Sequence, residues 1–209
     1  MSVVKKIILL CFIFLVACGY HAPEQNPIES GAKVLILGDS LSYGVGAEKG
    51  EDYPSLLAKS TGWDIVNAGI SGDTSAQGLE RLPDLITTHR PKLLIVELGG
   101  NDLLRQIPVS QIERNIKGIL SEAKAGGIAT VLVAIPAVNP LMAAVGSLSD
   151  HPIYEKIADE TKTPLIKEVF SNVLSHHRLK FDQIHPNAEG YVKVSEEMHA
   201  ALKEQGFLK

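Results

Sequence analysis

The feature that most constrains this chain is an alternation of short apolar runs with longer stretches whose apolar residues recur at helical spacing. Val34-Leu35-Ile36-Leu37 is a run of strand length closed by Gly38, Leu93-Leu94-Ile95-Val96-Glu97-Leu98 is another, and residues 130–135 are the most β-rich of all. Weaker strand signals fall at 64–67 and 164–166. Between them, residues 52–60 carry Tyr53, Leu56 and Leu57 on one face. Residues 74–88 carry Leu79, Leu82, Leu85 and Ile86, with Pro83 as a local difficulty. Residues 109–125 carry Ile112, Ile116, Ile119 and Leu120, and Gly126-Gly127 stop them. Two further helices are expected at 153–161 and at 187–205, where Ala188, Tyr191, Val194 and Met198 face inward, while 136–150 reads as a loop rich in small and apolar residues. Continuous apolar runs, rather than alternating ones, mark strands buried on both faces. Strands joined by helical crossovers form a parallel sheet with helices on both sides, here a three-layer α/β/α sandwich of about five strands. In such sheets ligands bind at the carboxyl ends of the strands. Ser40, Gly72 and Asn101 each fall just past such an end.

The first residues stand apart from this pattern. Lys5 and Lys6 precede an apolar run from Ile7 to Val16, too short to span a bilayer and suited to the core of a signal peptide. The run ends in Leu15-Val16-Ala17-Cys18-Gly19, which resembles the lipobox of bacterial lipoproteins. That resemblance implies removal of residues 1–17, lipidation at Cys18 and an exported protein anchored to a membrane by more than one acyl chain. An ordinary secretory signal with a coincidental cysteine is the plainer alternative. Residues 18–31, with Pro23 and Pro27, read as a tether, and 32–209 as one domain. The only other cysteine is Cys11, inside the signal, so the domain holds no internal disulfide. The formal charge is −4, and loss of Lys5 and Lys6 makes it −6. Without a basic stripe, nucleic acid is not expected as a partner and the acidity reads as solubility.

Four segments carry possible chemistry. In Gly38-Asp39-Ser40-Leu41-Ser42, a serine at a strand-to-helix turn stands at a helix N-terminus, where negative charge is favoured. Capping is the plain alternative. In Asp182-Gln183-Ile184-His185-Pro186, a carboxylate three residues before an imidazole can hold its Nδ1, leaving the other nitrogen to take a proton. A surface histidine before a helix is the alternative. Gly69-Ile70-Ser71-Gly72-Asp73-Thr74 and Gly99-Gly100-Asn101-Asp102 offer a backbone N–H and a side-chain amide to an oxyanion; both also suit tight turns. His89, His151, His176, His177 and His199 read as solvated and show no metal-ligand spacing, and Trp63 and Tyr191 read as packing residues.

Taken together, the four segments resemble the SGNH (GDSL) hydrolase family, whose blocks carry Ser, Gly, Asn and His in that order. The resemblance runs from about Lys33 to the C-terminal helix. The strings from Leu35 to Ser42, from Ile70 to Ser75 and from Val96 to Asp102 look like the branch that contains periplasmic thioesterases with lysophospholipase and arylesterase activity. It implies a flavodoxin-like sheet and a serine esterase. Its nucleophile is then Ser40, its base His185 and its orienting carboxylate Asp182, and the oxyanion hole is formed by the Ser40 N–H, the Gly72 N–H and the Asn101 side chain. No metal or organic cofactor is required by this chemistry, and the substrate expected is a small acyl ester, a thioester or a lysophospholipid. Residues 103–108 and 136–150 are expected to line the acyl pocket and to differ from their counterparts in that branch. Two other readings stay open: an O-acetyl esterase acting on cell-envelope carbohydrate, and a non-catalytic lipoprotein that binds through the same fold.

Overall fold

The computed structural model describes residues 26–137 and 146–209. The signal segment and Cys18 lie outside these residues, as does most of the loop expected at 136–150. Five parallel strands form one sheet: β1 (Lys33–Gly38), β2 (Asp64–Asn67), β3 (Leu93–Glu97), β4 (Ala129–Val133) and β5 (Leu165–Ile166), in the order β2-β1-β3-β4-β5. β1 pairs with β3 from Val34↔Leu93 to Gly38↔Glu97, and with β2 from Lys33↔Asp64. β3 is buried along its whole length and β1 along all but its first residue, whereas the edge strand β2 is only half-buried. That difference is why β2 gave the weaker signal. A strand with two covered faces needs apolar side chains at every position, and an edge strand does not.

Among the described residues, eight α-helices cover the sheet: α1 (Ser40–Tyr43), α2 (Tyr53–Thr61), α3 (Ser75–His89), α4 (Gly100–Leu104), α5 (Val109–Ala125), α6 (Ile153–Thr161), α7 (Val169–Ser175) and α8 (Ala188–Glu204). α2 and α7 pack on α8, while α3 and α6 pack on α5, which gives the outer layers of the α/β/α sandwich. The starts of several helices follow directly from side-chain chemistry. Asp52 caps α2, Asn187 caps α8, and Thr74 with Gln77 forms a reciprocal capping box at α3. Pro83 sits inside α3 on its exposed side, so its ring meets solvent rather than core. Trp63 and Tyr191 are buried, each donating to a backbone carbonyl (Ile28 and Val45). His151 is not a free surface residue: half-buried, its Nδ1 accepts from Ile153 N at the start of α6.

Three elements depart from the expected pattern. α7 was not anticipated, although Val169, Phe170, Val173 and Leu174 bury one face at helical spacing; seven residues give too short a window to stand out. The 3₁₀ turn His177–Leu179 follows it. α4 starts on Gly100, a poor helix former, and forms because tertiary contacts hold it. The chain order β2-β1-β3 reverses direction between β1 and β3, and a crevice opens outside the carboxyl ends of strands at such a reversal. Ser40 follows β1 there, and Asn101 follows β3.

Candidate active site

The turn after β1 is organised by a full accounting of backbone donors. Asp39 caps α1 by accepting from Leu41 N at 3.0 Å, Tyr43 N reaches Asp39 O, and Gly44 N and Val45 N both reach Ser40 O. Glu97 Oε2, at the end of β3, takes Ser42 N at 3.1 Å and Asp39 N at 3.4 Å. Among the described residues the Ser40 N–H alone in this turn has no acceptor. Unpaired N–H groups at a helix start are what an anion would meet.

The loop before α8 brings the imidazole. Lys180 and Pro186 form an isolated antiparallel bridge, and Phe181 N donates to His185 O, closing residues 181–185 into a tight loop. Asp182 Oδ1 accepts from Ile184 N and His185 N, both at 2.8 Å, and Oδ2 lies 2.7 Å from His185 Nδ1. His185 Nε2 then lies 2.9 Å from Ser40 Oγ, across 145 residues of chain. With the proton on Nδ1 donated to Asp182, Nε2 is free to accept the Ser40 hydroxyl proton. Burial raises the Asp182 carboxyl, but its bonds to the His185 ring and to the N–H groups of Ile184 and His185 outweigh that, and the net shift is downward. It therefore stays ionised beside the ring.

Asn101, at the start of α4, stands near Ser40. Its Nδ2 lies 3.0 Å from Asp39 Oδ2 and 3.0 Å from Asp73 O, so both amide protons are engaged. Gly72 has φ of +87°, a left-handed conformation that favours glycine, and its carbonyl accepts from Arg105 Nη2 at 2.9 Å. Its N–H has no acceptor among the described residues. Asp102 fastens this loop to α4, taking Ser75 N at 2.8 Å and Ser75 Oγ at 2.5 Å. Burial pushes the Asp39 carboxyl up to about 6, against the bond from Leu41 N and the nearby His185 and Asn101.

Ser40, Asn101 and His185 line one cavity of about 220 Å³; Gly72 stands beside Asp73 and is not part of its lining. The rest of the wall is mainly apolar: Leu104, Ile135, Pro136, Ala137, Leu148 and Leu174. The expectation that segments 103–108 and 136–150 border the pocket is met by Leu104, Pro136, Ala137 and Leu148, while residues 138–145 lie outside the described part. Leu174, on the unanticipated α7, and Gln183 and Ile184, beside His185, were missed as lining residues. Asp39 and Glu97 were missed as a buried acidic pair; the signal was a lone carboxylate ending an otherwise apolar strand. No group of three or more His, Cys, Asp or Glu side chains among the described residues is placed to hold a metal ion. No helix among them is long and apolar enough to cross a membrane.

A hydroxyl, an imidazole and a carboxylate thus stand in hydrogen-bonded series at an apolar cavity. Residues 36–193 match the model of the GDSL-like lipase/acylhydrolase family. The chain is 36% identical over 202 residues to the thioesterase 1/protease 1/lysophospholipase L1 of Escherichia coli (strain K12), covering 93% of this chain and 91% of that protein. It is 34% identical over 179 residues to the esterase TesA of Pseudomonas aeruginosa, covering 81% and 87%. Among solved structures, the psychrotrophic esterase EstA from Pseudoalteromonas sp., inhibited by monoethylphosphonate, superposes with a TM-score of 0.72 at 28% identity, covering 83% of this chain and 97% of that one.

Proposed function

Since this chain belongs to the GDSL-like lipase/acylhydrolase family and is a carboxylic ester hydrolase, we propose that it works through an acyl-enzyme on Ser40. The Ser40 hydroxyl attacks the ester carbonyl as His185 Nε2 takes its proton, and Asp182 holds the imidazolium. The oxyanion is met by the Ser40 N–H, the Gly72 N–H and the Asn101 amide, which exchanges one of its two present partners for the new charge. His185 returns the proton to the departing alcohol or thiol. Water, deprotonated by the same ring, then frees the acid. The observation that carries this reading is the 2.9 Å contact between Ser40 Oγ and His185 Nε2.

The substrates are acyl esters or thioesters whose apolar chain seats against Leu104, Ile135, Leu148 and Leu174, with lysophospholipids in the same class. The apolar wall disfavours the carbohydrate O-acetyl esterase reading, and the intact triad disfavours a purely binding role. Ser40→Ala should remove hydrolysis of p-nitrophenyl butyrate and labelling by a fluorophosphonate probe; a folded variant that retains turnover would end the proposal.

The protein acts outside the cytoplasm, held to a membrane by acyl chains on Cys18 after removal of residues 1–17. Support comes from the basic start, the apolar run and the Leu15-to-Cys18 string. Radiolabelled palmitate should enter the wild type and not Cys18→Ala, which should leave the membrane fraction.

A further inference from the structure

Beneath the nucleophile lies a carboxyl group that the acyl-transfer steps do not use. Glu97 is fully buried. Its Oε2 accepts Ser42 Oγ at 2.6 Å as well as the N–H groups of Ser42 and Asp39, and Ser42 Oγ lies 2.7 Å from Tyr53 OH. Gly38 makes room for it: a Cβ there would stand 2.7 Å from Glu97 Oε2 and 2.1 Å from Ser42 Oγ. The approach of carboxyl to turn is therefore built into the backbone.

We infer that Glu97 is a positioning residue for acyl transfer: it ties the residues on both sides of Ser40 to the end of β3, and so aims the Ser40 hydroxyl and N–H at the reacting carbonyl. This rests on the reading of Ser40 as nucleophile. Asp39 precedes the serine and Ser42 follows it by two, so one oxygen grips the turn from either side and leaves the Ser40 N–H without a competing partner. No Lys, Arg or His among the described residues pairs with Glu97, and its Oε1 has no hydrogen-bond partner. The groups acting on it are Asp39 and Ser42 from the nucleophile turn; its own charge in turn raises Tyr53 from α2, Tyr154 from α6 and Tyr191 from α8. An unpaired ionised carboxylate in such a place is costly. Burial, and then the charge of Asp39, drive the carboxyl well above the ordinary range, which favours its neutral form. What matters is where its oxygen sits, not its charge.

The test compares three variants, Glu97→Gln, Glu97→Asp and Glu97→Leu, by steady-state hydrolysis of p-nitrophenyl butyrate, with Ser40→Ala alongside and circular dichroism to confirm folding. Gln keeps a carbonyl at the same reach, and its kcat should stay within about threefold of wild type. Asp keeps the carboxyl group but withdraws its oxygen by about 1.5 Å, one carbon–carbon bond. Its kcat should fall by about 30-fold or more with KM within about twofold, because misplacement near 1 Å costs on the order of 10²-fold in rate. Leu should lose at least as much; should it not fold, the Gln and Asp pair decides. The inference is overturned if Asp keeps kcat within threefold, if Gln falls as far as Asp, or if the loss appears in KM alone. Turnover surviving in Ser40→Ala would sink the site reading itself, whereas an undisturbed Glu97→Asp beside a dead Ser40→Ala would sink this inference alone.

Discussion

Asp182 holds His185 at two points, its Oδ1 on the backbone N–H at 2.8 Å and its Oδ2 on the ring Nδ1 at 2.7 Å. The first bond sets where the residue stands and the second which way its ring turns and which nitrogen carries the proton. Asp182→Asn keeps the backbone bond through its amide oxygen but presents an N–H to the ring, favouring the wrong tautomer. We expect kcat to fall by about 10³–10⁴-fold with little change in KM. Stopped assays with p-nitrophenyl butyrate at pH 7.5 would read this directly, and a loss under tenfold would contradict it.

Asn101 offers a second test, because in the free protein its amide is already engaged by Asp39 and Asp73. Removing an oxyanion donor typically costs about 10²–10³-fold in kcat. Asn101→Ala should show that loss while still binding substrate. An unchanged kcat would mean that the Ser40 and Gly72 N–H groups suffice.

The Asp39 carboxyl has a consequence for stability. Burial raises its pKa to about 6 in the folded chain, against about 3.9 in an unfolded one. The folded state thus binds the proton more tightly, and its contribution to stability is complete below about pH 4 and is lost as pH rises through about 6. Asp39→Asn lacks this titration. Its unfolding free energy relative to wild type should therefore climb by about 1–3 kcal/mol between pH 4 and pH 7, at ~1.4 kcal/mol per pKa unit. Urea denaturation of both proteins at the two pH values measures the difference; a gap that does not widen with pH would refute it.

Leu104 is 42% exposed at the cavity wall, where an acyl chain would cover it. Leu104→Ala should raise KM for octanoyl esters by about five- to tenfold, the value of roughly 1 kcal/mol of lost apolar burial. Acetyl esters, too short to reach that wall, should be unaffected. An equal change for both chain lengths would place the acyl group elsewhere.

Much of the fold was legible in advance where periodicity ran long. α5 and α6 begin and end at the residues that spacing and Gly126-Gly127 indicated, and β1 and β3 announced themselves as unbroken apolar runs. α7 escaped because seven residues span barely two turns, and α4 because glycine begins it. At the site, Ser40, Gly72, Asn101, Asp182 and His185 stood out as residue types placed just past strands or before a helix. Glu97 did not, since nothing local says which donors will meet its carboxyl: Asp39 lies 58 positions away.

By itself the sequence determined the sheet, the order of its parts and the loop positions of the chemistry, because apolar periodicity and turn residues act over a few neighbouring positions. Only the tertiary structure decided that one imidazole meets one hydroxyl, that Asn101 begins with both amide protons engaged, and that Asp39 and Glu97 are buried together at the Ser40 turn. Protonation and hydrogen bonding depend on distances of about 3 Å between groups that the chain separates by tens of residues, and those distances exist only once the strands have aligned.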